Sequence, residues 1–101
     1  MPKLYDYLGI IIMFYSNEHE PIHVHGKYQG FESKAELIII DGKVTAINIL
    51  AVKGKESLQA KELKEFKRFV TLFKDDIVQK WVDYFVYHKN IQCIKIEGKV
   101  K

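Results

Sequence analysis

Apolar residues change their spacing once along this chain, from runs and alternations before residue 57 to steps of three or four beyond it. Tyr7 to Tyr15 is β-branched and aromatic with no polar alternation, which suits a strand covered on both faces and hence a central one. Ser16-Asn17-Glu18 supplies turn chemistry, and Pro21 blocks any helix through the residues that follow. His23 to Gln29 reads as a second strand, with Gly26 a bulge or a point of close backbone approach. Phe31 to Ile40 is a third, with Phe31, Ala35, Leu37 and Ile39 on one side and Glu32, Lys34 and Glu36 on the other. Asp41-Gly42 between two β-rich runs predicts a type I′ hairpin. A two-residue loop there pairs Ile40 with Lys43, Ile39 with Val44 and Leu37 with Ala46, and the fourth strand runs from Lys43 to about Val52.

After a polar connector, Lys53-Gly54-Lys55-Glu56, Ser57 stands where a helix N-cap is expected. Leu63, Phe66, Val70, Phe73, Ile77, Trp81, Tyr84 and His88 then form the stripe of an amphipathic helix over about residues 58 to 89. Asp76 with Gln79 three residues later resembles a capping pair, so one kinked helix and two consecutive helices are both open. Ile77 to Tyr87 is apolar over more than one face, the pattern of a deeply wedged segment or a partner interface. Asn90 ends the helix, Ile91 to Glu97 alternates as a closing strand, and Gly98 to Lys101 is a loose tail. The expected fold is a single α+β domain over residues 1–101: about four amino-terminal strands and a carboxy-terminal one in a small, mostly antiparallel sheet against the helical segment.

Length and composition agree with one soluble core: 101 residues, 48% hydrophobic and 29% charged. A net charge of +3 permits nucleic acid without demanding it. Arg68 is the only arginine, which argues against bidentate reading of guanine. Cys93 is the only cysteine, so no internal disulfide forms and a reducing cytoplasm is the expected compartment, with Cys93 itself an inert buried thiol. The apolar run from Leu8 to Phe14 is far short of the roughly 20 residues of a membrane helix, and no signal peptide is legible.

Chemistry-bearing side chains crowd in one place, where His19, His23 and His25 supply three of the four histidines. Residues two apart on a strand share a face, so His23 and His25 project together while Val24 points into the core, and His19 folds back across the Pro21 loop. Three converging imidazoles make a facial site for a divalent metal such as zinc. Without metal they offer an acid and a base near neutral pH, the pair that RNA cleavage requires. The bland alternative, histidines merely lining a strand and turn, weighs equally on spacing alone. The block is not the helical His-Glu-x-x-His motif, since Pro21 forbids that helix, and no cysteine or aspartate stands nearby as a fourth ligand. Trp81 and Glu97 are further candidates for the walls of such a pocket. Tyr5, Tyr7, Tyr15 and Tyr28 are candidate stacking surfaces or, more simply, packing residues. Lys61, Lys64 and Arg68 share a helix face, but Glu62 and Glu65 intervene, giving a mixed-charge solvated surface.

A Met-Pro start, a Gly9-Ile10 strand, the block Asn17-Glu18-His19-Glu20-Pro21-Ile22-His23-Val24-His25, a helix carrying Trp81 and a closing Lys95-Ile96-Glu97 together resemble the small bacterial proteins grouped as Domain of Unknown Function 4160. The resemblance spans nearly the whole chain. It departs from the family where Pro21-Ile22 replaces two prolines, where Gly26 replaces alanine, and where Gly98 replaces proline. All three histidines survive these changes. Family members often sit in two-gene cassettes beside another small domain of unknown function. The resemblance thus implies the toxin-like half of a toxin–antitoxin-type module acting on RNA or translation, with a small antitoxin-like partner or a second copy. A non-catalytic regulatory partner and a divalent-metal protein are the alternatives.

Overall fold

The computed structural model describes residues 2–15 and 22–100. Its strands are β1 (Lys3–Tyr7), β2 (Ile10–Met13), β3 (His23–Tyr28), β4 (Phe31–Ile40), β5 (Lys43–Ala51) and β6 (Ile94–Ile96), and one helix, α1 (Ala60–Phe85), lies between β5 and β6 in the chain. All six strands join one sheet in the order β5-β4-β3-β2-β1-β6. The first five form an antiparallel meander, while β6 runs parallel to β1 with Tyr5 beside Ile94 and Tyr7 beside Ile96. The class is α+β, with one strand more than the sequence pattern predicts.

The additional strand arises at Leu8-Gly9, inside what reads as one continuous strand. These residues have φ of +53° and +82° and close a two-residue loop between Tyr7 and Ile10. Positive φ at both central positions is what a type I′ hairpin demands. The apolar Leu8 conceals the turn in the sequence. Asp41-Gly42 turns in the same way, with φ of +52° and +78°. Ile40 faces Lys43 and Ile39 faces Val44 as expected, but a bulge then shifts the register, so Leu37 meets Ile47 and Ala46 meets Ile38. Thr45 is the extra residue, and its hydroxyl donates to the Ile38 carbonyl at 3.3 Å.

The helix is continuous through Lys74-Asp75-Asp76, which excludes the two-helix alternative. Asp76 caps nothing; it accepts a hydrogen bond from the Tyr5 hydroxyl and lies 3.6 Å from Lys80. Nor does Ser57 cap the amino-terminal end. The N-cap is Gln59, without a side-chain bond, because Leu58 is first drawn into the core with its N–H on Ser33 Oγ at 3.0 Å. The helix ends at Phe85 rather than near Asn90, and His88, in left-handed conformation, falls outside the apolar stripe.

Phe66, Phe69, Val70 and Ile77 are fully buried between helix and sheet. Burying each such side chain contributes about 1.5–3 kcal/mol. Phe69 meets the rings of Tyr5 and Tyr7 with centroids 4.8 and 4.7 Å apart and stacks on Phe73 at 4.2 Å. Phe66 rests on Gly26, where a Cβ would lie 2.7 Å from its ring carbons. Gly26 is therefore the close-approach point, and α1 covers the sheet face that carries Val24 and Gly26. The carboxy-terminal residues are not loose: the Val100 N–H donates to the Tyr7 hydroxyl at 3.1 Å, and Lys99 lies 3.6 Å from Glu65.

A methyl group at position 26 must displace Phe66 or the helix. Gly26→Ala is expected to lower unfolding free energy by about 1–3 kcal/mol in urea titration, the usual result of overpacking.

Candidate functional site

Alternation along β3 puts His23, His25 and Lys27 on the sheet face opposite α1. Lys34 is the register partner of His25, Glu36 of His23 and Glu32 of Lys27, so these side chains share that face. At its centre His25 is only 4% exposed and Glu32 only 1%. His25 Nδ1 lies 2.9 Å from Glu32 Oε2. With the carboxylate as acceptor, Nδ1 is the donor of this bond. The Tyr15 hydroxyl donates to the same carboxylate oxygen. The Tyr15 ring also lies flat on the imidazole, with centroids 3.9 Å apart and planes 10° from parallel. His23 and His25 are adjacent, their centroids 5.6 Å apart.

This constellation fixes an imidazole in three ways: a carboxylate on Nδ1, an aromatic plane against its face, and the strand backbone beneath. Such a carboxylate selects tautomer and ring orientation. Glu32 Oε1 is buried with no hydrogen-bond partner among the described residues, leaving the carboxylate dependent on its other oxygen. Lys27 and Lys34 share this face with the imidazoles, as do Glu32 and Glu36.

Of the residues singled out in the sequence, the structure brings His23 and His25 together. His19 lies outside the described residues, and so does the three-histidine metal site that needs it. Among the described residues no group of three His, Cys, Asp or Glu side chains could hold a metal ion. Trp81 is set apart from the histidines, on α1 across the sheet, half-buried against the core and 5.1 Å from Phe85. Glu97 is exposed just beyond β6, with β1 and β2 between it and β3. Cys93 is exposed, not a buried thiol, because the strand expected to bury it starts only at Ile94. Tyr15 and Glu32 escape a reading that looks for histidines alone. The signal available was Gln29-Gly30: taken as a two-residue turn, it makes Glu32 the diagonal neighbour of His25 on one face.

A second buried carboxylate, Glu65, sits between α1 and β1. Tyr7 donates to it at 3.1 Å, Arg68 approaches to 3.4 Å and Lys99 to 3.6 Å. Burial opposes its ionisation, but the Tyr7 hydrogen bond and the charges of Lys99 and Arg68 together hold its carboxyl below the ordinary value. Burial, with the bond to Glu65, pushes the Tyr7 hydroxyl up. Burial and Asp76 do the same to Tyr5.

The model of a family described as Domain of unknown function (DUF4160) matches residues 9–82. No curated protein and no solved structure matches the chain. No helix among the described residues is long and apolar enough to cross a membrane.

Two outcomes are expected. Glu32→Ala removes the acceptor of both Tyr15 and His25 and should cost about 1–3 kcal/mol of stability in urea titration, with Glu32→Gln costing less. Because the Glu65 carboxyl is depressed in the folded state, its contribution is present above the unfolded carboxyl's pKa and is lost as pH falls through the folded one. The urea midpoint of the wild type should therefore fall on acidification below the ordinary glutamate range more steeply than that of Glu65→Gln.

Proposed function

We propose that this chain, which belongs to the family described as Domain of unknown function (DUF4160), is the toxin-like component of a bacterial toxin–antitoxin-type module and cleaves RNA by acid–base chemistry at His23 and His25. One observation carries the chemistry: a buried carboxylate, Glu32, orients His25 through Nδ1, while Tyr15 clamps both partners. A general base must be held in one tautomer and one direction, and these contacts supply both.

One imidazole would take the proton of a ribose 2′-hydroxyl as its oxygen attacks the adjacent phosphorus. The other would protonate the departing 5′-oxygen, leaving a 2′,3′-cyclic phosphate. Lys27 and Lys34 would offset the charge that builds on the phosphate. The toxin role rests on the gene arrangement common in the family, and a lone cysteine suits a reducing cytoplasm.

Induced expression in bacteria tests the reading. Wild-type protein should arrest growth and yield RNA ends carrying 2′,3′-cyclic phosphate. His23→Ala, at a half-exposed position, should lower cleavage by about 10²–10⁴-fold, the usual contribution of a general acid or base. The His23→Ala/His25→Ala double variant should be inert. Soluble wild-type protein that leaves growth and RNA unchanged, or a folded His23→Ala as toxic as wild type, would sink the proposal.

A further inference from the structure

Strand β5 ends the sheet, with a neighbour on one side only among the described residues. Its outward N–H and C=O groups make no backbone hydrogen bond among the described residues. Edge strands normally carry a guard against pairing: a charge, a proline or a bulge. Here Lys43 and the bulge at Thr45 guard only the hairpin end, and Ala46-Ile47-Asn48-Ile49-Leu50-Ala51 carries no charge and no proline.

The helix gives this edge a sign. Lys67, Thr71 and Lys74 form a groove with Val44 to Ile47, and Lys64 and Arg68 continue the same flank. No carboxylate lines the groove itself: Glu65 is turned beneath the helix to Tyr7 and Arg68, Glu62 faces another cleft with Leu8 and Tyr28, and Asp75 stands exposed beyond Lys74. Lys64, Lys67 and Lys74 make no ion pair among the described residues.

We propose that β5 accepts an extended acidic segment of a partner protein as a seventh strand, with its carboxylates against Lys67 and Lys74. Backbone pairing would supply affinity, and the lysine row would supply selection. The spacing fits: Lys67 and Lys74 are about 10.5 Å apart along the helix axis. Same-face residues of an added strand recur at about 6.8 Å, so positions two and four apart bracket the lysines within side-chain reach. A second copy of this chain fits poorly, since two-fold pairing of β5 edges would set one lysine row beside another. The surface lies across the sheet from His25, and the inference does not depend on any chemistry there.

A fluorescein-labelled 11-residue peptide of alternating glutamate and valine serves as the probe, read by anisotropy and by amide hydrogen exchange over residues 43–51. Saturable binding should slow exchange in β5. The Lys67→Glu/Lys74→Glu variant, and separately a peptide with its central valines replaced by proline, should each weaken binding by about tenfold or more. No saturable binding, or equal binding of the proline peptide, overturns the proposal. So does a ten-nucleotide oligouridylate that binds with the same lysine dependence while β5 exchange is unchanged, which assigns the groove to nucleic acid. A dimer that protects β5 without peptide assigns the edge to a second copy instead.

Discussion

Phe66 lies on Gly26 in the space where any other residue would carry its Cβ, and the arrangement of the molecule follows from that approach. With the helix seated this close to β3, Phe69 reaches the rings of Tyr5 and Tyr7, and Val70 and Ile77 are sealed from solvent. One helix thereby covers one face of the sheet. Since strand residues alternate in direction, every neighbour of a core residue in β3 faces away from the helix. His23 and His25 stand on the opposite face because Val24 and Gly26 are needed on the one beneath the helix.

Three tyrosines from the first two hairpin strands and their extension each hand a hydroxyl to a carboxylate: Tyr5 to Asp76, Tyr7 to Glu65 and Tyr15 to Glu32. A phenol can bury its ring while its polar tip finds a partner, so these pairs join apolar packing to charge. Two of them tie sheet to helix, and the Tyr7 hydroxyl also accepts the Val100 N–H and so fastens the carboxy-terminal residues. The third differs. Glu32 is on β4 and Tyr15 just past the end of β2, and the group they immobilise is an imidazole. That contrast separates the scaffold's buried polar groups from those of the candidate site.

Burial of Glu65 also alters the electrostatics of the helix. In the sequence, Glu62 and Glu65 interrupt the lysines and suggest a balanced surface. In the fold, one carboxylate is drawn inward and the other faces a separate cleft, so the groove beside β5 is lined by Lys67 and Lys74 without a carboxylate. A linear charge pattern becomes a directional field only once each side chain is assigned a side.

The sequence by itself determined the elements whose signals are local: the Asp41-Gly42 hairpin, the face shared by His23 and His25, the long amphipathic helix and the α+β class. Turn chemistry and periodicity act over a few residues, so they survive without knowledge of the rest. Tertiary structure alone decided what depends on distant partners. Leu8-Gly9 turns although Leu8 is apolar, because Tyr7 and Ile10 gain a common core beneath the helix. The Lys74-Asp75-Asp76 stretch stays helical with Val70, Phe73 and Ile77 packed on the sheet, and Tyr5, 71 residues away in the chain, binds Asp76. Glu32 and Tyr15 join His25 only through the register of neighbouring strands. A pairing register is a property of two segments at once, and no single stretch of sequence states it.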